Sequence, residues 1–254
     1  MLKRTFQIIA AMSPLAMAGT ASAFVITADN AWNNQHSVNA GNGVTVTGCE
    51  SMITCSGGTF IGTKNIPTVG DGVGVQGQGN NEIDWFGGEG VSEVLSFSFN
   101  NASIINSLEL GLLFDGPEYS DYLEIATFRL TYAGGGTDTF SLVPNYAAGT
   151  ASWIGGSGTW VGTDLVNGGA GKWLNTVNPF GANAITQLDM YASMGACAPN
   201  LSCSDQSDYL FRSLTASTLD ITHTDAPEPA TLLLLGTGLV GLSVAARRRR
   251  KALI

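Results

Sequence analysis

The stretch IATFRLTYAGGGTDTFSLVP, residues 125–144, decides the fold class of this 254-residue chain. Phe128, Leu130 and Tyr132 alternate with polar residues before the three glycines, and Phe140 and Leu142 alternate after them. Alternation with a period of two indicates β-strands that bury one face, and a glycine-rich turn between two such strands predicts an antiparallel hairpin.

The alternation changes phase just before the hairpin. Leu123 and Ile125 lie on odd positions, whereas Phe128 and Leu130 lie on even ones. A shift by one residue turns the buried face of a strand outward. We therefore predict a β-bulge or a break near Ala126-Thr127.

Similar patterns extend along the chain in both directions. The clearest are Leu95–Phe99 and Leu108–Leu112, and weaker ones cover residues 24–28, 44–47, 59–63, 83–86, 184–192 and 209–216. No convincing amphipathic helix precedes residue 230. Many short strands with glycine-rich turns predict an all-β, antiparallel, jelly-roll-like β-sandwich. Two small β domains divided near residues 145–180, where residues 149–171 are loop-like, are the alternative.

The N-terminus has the pattern of a secretory signal peptide. Lys3 and Arg4 precede a largely apolar stretch, and Ala21 and Ala23 flank Ser22 in a small-residue cleavage site. We expect residues 1–23 to be removed, so that the mature chain begins at Phe24.

The C-terminal tail combines three elements. Pro227, Glu228 and Pro229 form a stiff, non-helical tripeptide, because proline fixes φ and restricts the residue before it. Residues 230–246 carry no charge, and as a helix they span about 25 Å, slightly less than the roughly 30 Å of a bilayer core. Five cations follow and belong on the cytoplasmic side: Arg247, Arg248, Arg249, Arg250 and Lys251. We predict a short transmembrane helix with the preceding domain outside the cytoplasm.

In this order, Pro-Glu-Pro, apolar helix and arginine cluster, the tail resembles the PEP-CTERM sorting signal of exported bacterial proteins. The resemblance implies that Pro227, Glu228 and Pro229 are read by an exosortase-like membrane enzyme. It also implies cleavage of the tail in bacteria that make exopolysaccharide. The expected division is therefore a signal peptide (1–23), an exported domain (24–222), a linker with the motif (223–229), a membrane helix (230–246) and a basic tail (247–254).

The region between the two signals is strongly acidic. Of the 20 acidic residues, 19 lie before Glu228, against four basic residues in residues 24–226, which gives a net charge of −15. Nucleic acid is excluded as a partner, because phosphate binding needs a cationic surface. This charge fits a soluble exported protein, or one whose carboxylates bind calcium.

Four cysteines occur in two pairs with the same spacing. Cys49 and Cys55, like Cys197 and Cys203, are separated by five residues. In an oxidising compartment this predicts disulfides, and local pairing is favoured among the three possible connectivities.

Acidic and tryptophan residues supply the remaining candidate sites. The glycine-rich segment 71–84 offers Asp71, Glu82 and Asp84 as ligands for a calcium ion, the candidate cofactor, with a tight turn and outward carboxylates as the alternative. Paired carboxylates can hydrolyse glycosidic bonds, and the group after Phe114 is a weaker candidate: Asp115, Glu118, Asp121 and Glu124. A platform for sugar rings is predicted from Trp153, Trp160 and Trp173, with core packing as the alternative.

The sequence thus predicts a protein without enzymatic activity that is exported and held temporarily at the inner membrane. An exosortase-type enzyme then processes it and leaves it at the cell surface or in the extracellular matrix of a biofilm. A carbohydrate-binding module associated with exopolysaccharide is the alternative.

Overall fold

The computed structural model describes residues 22–51, 59–77, 80–86, 91–114, 124–145, 149–165, 169–194 and 207–219. These residues belong to one compact unit, Thr20–Leu219. They form fifteen β-strands and one short 3-10 helix, Asn30–Trp32, and within these ranges there is no α-helix. None of the described helical structure is long and apolar enough to cross a membrane. The predicted signal peptide up to Ala21 and the predicted membrane helix at 230–246 lie outside the described residues.

All observed strand pairings are antiparallel, as the sequence predicts. The strands, in chain order, are β1 (Ser22–Thr27), β2 (Ser37–Gly41), β3 (Val44–Cys49), β4 (Ile61–Ile66), β5 (Gly70–Val75), β6 (Trp85–Phe86), β7 (Val91–Ser92), β8 (Val94–Gly111), β9 (Ile125–Tyr132), β10 (Thr137–Pro144), β11 (Ala151–Ile154), β12 (Val161–Thr163), β13 (Lys172–Asn175), β14 (Ile185–Ser193) and β15 (Leu210–Thr218).

The 18-residue strand β8 joins two groups of strands. Its first part, Val94–Phe99, pairs with β3 on one side and β14 on the other. Its last part, Ser103–Gly111, pairs with β15 and β13. We call β2-β3-β8-β14-β9-β10-β11 the first wing and β12-β13-β8-β15-β5-β4, with β1 beside β15, the second wing.

The sequence predicts two strands where β8 forms one. Leu95, Phe97 and Phe99 in the first part are at most 5% exposed, and Leu108 and Leu110 in the last part are fully buried. Both alternating patterns were therefore interpreted correctly, but Asn100 and Asn101 continue the strand instead of ending it. The strand ends where Leu112 takes a positive φ of 58°.

The core lies between the two wings. The ring of Phe97, on the first wing, lies 4.7 Å from that of Phe211, on β15 of the second. Phe211 also stacks on Trp32 of the 3-10 helix, at 6.5 Å. Truncating such a buried ring to alanine typically costs about 3–5 kcal/mol, so these contacts fix the wings to each other.

The predicted hairpin is confirmed as β9–β10, with Phe128 opposite Phe140. Gly135 and Gly136 take φ values of 89° and 86°, which a residue with a side chain rarely adopts. The bulge predicted near Ala126-Thr127 is wrong, since both strands beside β9 pair with it without interruption there. β9 begins at Ile125, and Leu123, which the alternative prediction of a break needs, lies outside the described residues. Ala126 is fully buried and faces inward like Phe128 and Leu130, whereas Ile125 does not belong to this inward-facing series.

The glycine-rich segment predicted as a turn and cation loop contains the regular strand β5. A Cβ on Gly74 would lie 2.4 Å from the Glu82 backbone, and one on Gly72 would lie 2.9 Å from Leu210. The glycines therefore allow close packing against neighbouring chain segments. The segment predicted as loop-like, residues 149–171, likewise contains β11 and β12, and the strands before and after it share one sheet.

Candidate functional site

Three carboxylates meet where β15 begins. One oxygen from each of Glu82, Asp84 and Asp208 lies within 4.8 Å of the others. Glu82 and Asp84 are only 4% and 3% exposed, and Asp208 is half-buried. We call these three residues the carboxylate cluster.

Backbone hydrogen bonds bring the cluster together. The N–H of Ile83 donates to the carbonyl of Tyr209 at 2.8 Å, and the N–H of Trp85 donates to that of Ser207 at 3.1 Å. The N–H of Val75 donates to the carbonyl of Glu82 at 2.9 Å, which holds the segment against β5. Since these bonds flank Asp208 on both sides, Glu82 and Asp84 are fixed beside it.

The surroundings of the cluster contain both charge signs. Lys64 of β4 forms an ion pair with Glu82. Nearby, the carboxylate of Glu93, itself 1% exposed, accepts the N–H of Asp84 at 3.2 Å. Several carboxylates at one place disfavour full ionisation unless cations compensate them. Because the ligand atoms are all oxygens, a hard cation such as calcium is the metal that this donor set fits.

Asp71, the first of the predicted cation ligands, is not part of the cluster. It lies in β5, where its carboxylate accepts hydrogen bonds from the side-chain amides of Asn30 at 2.6 Å and Asn65 at 2.9 Å. Asp208 takes its place as the third carboxylate. No local motif marks Asp208, because its proximity to Glu82 and Asp84 arises from tertiary packing.

The predicted hydrolytic carboxylates are largely outside the described residues. Asp115, Glu118 and Asp121 cannot be placed. Glu124 is 3% exposed, and its carboxylate accepts the backbone N–H of Phe114. The described member of the group thus binds the backbone between β8 and β9.

The tryptophans predicted as a sugar platform pack in and against the core. Trp160 and Trp173 are 4% and 0% exposed, and the indole of Trp173 donates to the carbonyl of Leu113 at 2.7 Å. Trp153 is half-buried, with its ring 5.8 Å from that of Phe140. Two of the three rings are therefore unavailable to a sugar in the folded domain.

Only one cysteine lies in the described part of the chain. Cys49 ends β3, is 2% exposed and is disulfide-bonded. Cys55, Cys197 and Cys203 lie outside the described residues. The local pairing of the cysteines stays a prediction.

The first and last strands of the domain are neighbours. β1 pairs with β15 from Ser22 opposite Thr218 to Thr27 opposite Ser213. Ser22 and Ala23, the described part of the predicted signal-cleavage site, are the first two residues of β1. Four of its six pairs, from Phe24 to Thr27, would remain after cleavage, and they include the buried Ile26. The predicted mature N-terminus, Phe24, thus lies opposite Ala216, near the end of β15.

The tail itself lies outside the described residues, and comparison with known families identifies it. The model of the PEP-CTERM protein-sorting motif matches residues 225–250, which include Pro227, Glu228, Pro229 and the arginines of the basic run. No curated protein and no solved structure is significantly similar to the chain.

The matched motif implies an exported protein that is sorted towards the cell surface by way of the membrane and processed by an exosortase-type enzyme. The predicted resemblance is thereby confirmed for about a tenth of the chain. The chain carries a PEP-CTERM protein-sorting motif in its C-terminal tail, residues 225–250.

Proposed function

We propose that this protein is a surface or extracellular-matrix component without enzymatic activity. Residues 24–222 form the displayed domain, and residues 230–246 with the basic run hold it at the inner membrane until the tail is cleaved. The match to the sorting motif over residues 225–250 carries this proposal. For the domain we propose a jelly-roll-like sandwich, supported by the antiparallel wings and their shared core.

The length of the linker limits the distance between the sorting motif and the domain. β15 ends at Thr218, and Leu219 is held by a hydrogen bond from its N–H to the carbonyl of Ala102 at 2.9 Å. A chain extends at most about 3.6 Å per residue, so Pro227 lies within roughly 30 Å of Leu219 in any conformation. An enzyme that reads the motif therefore acts within that distance of Leu219.

Two described side chains that could take part in catalysis, those of His36 and Glu124, make structural contacts. His36 hydrogen bonds to the carbonyl of Thr59 through Nδ1 at 2.9 Å and stacks on Phe60 at 4.0 Å. The carboxylate of Glu124 accepts a backbone N–H. These contacts favour a structural or interaction role over a hydrolase.

Changing both prolines of the motif tests the proposal. In the native host, we expect Pro227→Ala/Pro229→Ala to accumulate as uncleaved protein in the membrane fraction, because the stiff recognition tripeptide is lost. Pro67→Ala, in the exposed turn between β4 and β5, is the matched control and should be processed normally. Processing of the double variant at the wild-type rate would overturn the proposed sorting.

A carbohydrate-binding module is the second candidate function. The tryptophan platform gives it little support, since Trp160 and Trp173 lie in the core. A different surface of the domain favours it, namely the outward side of the first wing.

A further inference from the structure

The first wing carries two rows of polar side chains on the side that faces away from the core. On β8 and β14 the inward residues, such as Leu95, Phe97, Leu188 and Met190, are fully buried. Side chains alternate between the two sides of a strand, so the residues between them point outward. We call this outward side of β2, β3, β8, β14, β9 and β10 the polar face.

The strand register aligns the polar face into straight rows. The central row crosses six strands through consecutive pairs: Ser37, Thr47, Ser96, Asp189, Arg129 and Thr139. The adjacent row is made of Asn39, Thr45, Ser98, Gln187, Thr131 and Thr137. All twelve side chains are hydrogen-bonding groups. Ser96 and Asp189 are buried, and the other ten are half-buried or exposed, so contacts with a ligand fall to those ten.

A hydrogen-bond network around Asp189 holds the middle of the face in place. Its Oδ1 accepts from the hydroxyl of Ser96 and the amide of Gln187, both at 2.7 Å. Its Oδ2 accepts from Arg129, through Nη2 at 2.7 Å and Nε at 3.1 Å. A buried network with satisfied partners is rigid, so these groups are already ordered before any ligand arrives.

The polar face is neutral on an otherwise acidic domain. Its twelve positions contain one carboxylate and one guanidinium, which form an ion pair. Residues 24–226 as a whole carry a net charge of −15. The face therefore presents no strong electrostatic potential to a ligand. A neutral molecule rich in hydroxyl groups complements this surface best.

An aromatic ring borders the central row. Tyr191 lies two residues from Asp189 on β14 and is half-buried. Burial is the main cause that raises the pKa of Tyr191, and Arg129 acts in the opposite direction. The ring stays neutral at physiological pH and offers an apolar surface beside the hydroxyl and amide groups.

We propose that the polar face binds a neutral polysaccharide chain. Sugar hydroxyls both donate and accept, as do the serine, threonine, asparagine and glutamine side chains of the two rows. A second copy of the domain is a weaker candidate, because both copies are strongly acidic and the rows contain no large apolar anchor. This inference deepens the proposed function, since it depends on the domain being displayed where it meets extracellular polysaccharide.

Affinity gel electrophoresis of the full-length protein in detergent tests the proposal. Dextran and hydroxyethylcellulose serve as neutral polymers, and alginate serves as an anionic one. We expect at least one neutral polymer to retard the protein and alginate to leave its mobility unchanged. Ser98→Arg and Thr131→Arg place a long cation on the face and should weaken the retardation at least about tenfold. Thr163→Arg, at an exposed position of β12 in the second wing, is the matched control and should behave as wild type.

Three results would overturn this inference. The first is unchanged mobility of the wild-type chain in both neutral polymers. The second is equal retardation of Ser98→Arg and Thr163→Arg. The third is a dimer, seen by light scattering, that Ser98→Arg disrupts without any response to polymer. Binding is measured on purified protein, whereas sorting is measured in cells. A negative result in one experiment therefore does not change the interpretation of the other.

Discussion

Two of the places where the described residues bury acidic side chains are built differently. Asp189, 2% exposed, receives four hydrogen bonds and pairs with Arg129. In the carboxylate cluster, Glu82 and Asp84 are buried to nearly the same degree, but three carboxylates share the site. Lys64, which pairs with Glu82, has a side chain that is 43% exposed.

The difference shows what each site can do. A single carboxylate matched by rigid donors is complete within the domain, so it serves to order the polar face. Three carboxylates in one place concentrate negative charge, and the stability of that site depends on the cations that compensate it, Lys64 among them. We therefore expect the stability of the domain to change when residues of the first site are mutated. The second site should make stability depend on mutation and also on the cations present in solution.

Removing Arg129 should have the largest effect. Arg129→Ala leaves the carboxylate of Asp189 buried without its cation, and we expect the free energy of unfolding to fall by about 3 kcal/mol. Chemical denaturation checks this value. Arg129→Met/Asp189→Asn should recover most of the loss, because no buried charge remains.

Lys172→Met provides the control for this comparison. Lys172 pairs with Glu109 at 3.2 Å, but the Glu109 side chain is 16% exposed, against 3% for Asp189, and Arg212 also lies beside Glu109. The expected loss is about 0.5 kcal/mol, as for other solvent-accessible ion pairs. Equal losses for Arg129→Ala and Lys172→Met would contradict the distinction between the two environments.

Calcium should stabilise the domain through the carboxylate cluster and not through the Asp189 site, and this effect is expected to be smaller than that of Arg129→Ala. If the sequence-based calcium prediction applies to the carboxylate cluster, calcium at a hundredfold excess over its Kd stabilises the domain by about 2.7 kcal/mol. Thermal unfolding with calcium and with chelator measures this shift. We expect the shift in Asp71→Asn, whose carboxylate lies outside the cluster, and its loss in Asp84→Asn. The same midpoint with calcium and with chelator in the wild-type protein would rule out calcium binding.

Tyr209 connects the two regions and should show the smallest effect at neutral pH. It follows Asp208, and its hydroxyl donates to the carbonyls of Tyr191 at 3.2 Å and Thr127 at 3.4 Å, beneath the polar face. Tyr209→Phe loses only these two long bonds, so we expect a cost of about 0.5 kcal/mol at pH 7.

The effect of Tyr209 should reverse in alkali. Burial raises the pKa of Tyr209 well above its usual value, so above about pH 10 the unfolded chain releases a proton that the folded domain keeps. Stability conferred by the neutral phenol is complete below that pH and declines above it. Tyr209→Phe should therefore lose stability less steeply between pH 10 and 11, by up to about 1.4 kcal/mol per pH unit. An unchanged slope in alkaline urea titrations would contradict this assignment.

Alternation predicted the strands whose inward residues are large. Leu95, Phe97 and Phe99 locate β8, and Phe128 with Phe140 locates the β9–β10 hairpin. Burial of these large apolar side chains outweighs the local conformational preferences of the residues between them. Ala126 was harder to interpret, since a fully buried alanine contributes little to a hydrophobic pattern. That position produced the wrong prediction of a bulge.

Glycine-rich segments were misinterpreted for a physical reason. A glycine suggests a turn when positive φ is assumed, as at Gly135, but Gly72 and Gly74 lie in a strand where neighbours approach too closely for a Cβ. These two causes look identical in sequence. The carboxylate cluster was predicted only in part for a similar reason, because Asp208 joins Glu82 and Asp84 through pairing between distant segments.

The most direct test of the central claim is the intact mass of the protein recovered from the surface or medium of its native host. Sorting and processing predict a chain that begins at Phe24 and lacks residues 247–254, with its new C-terminus near Pro227-Glu228-Pro229. A surface form that retains Arg247 through Ile254 would contradict the account.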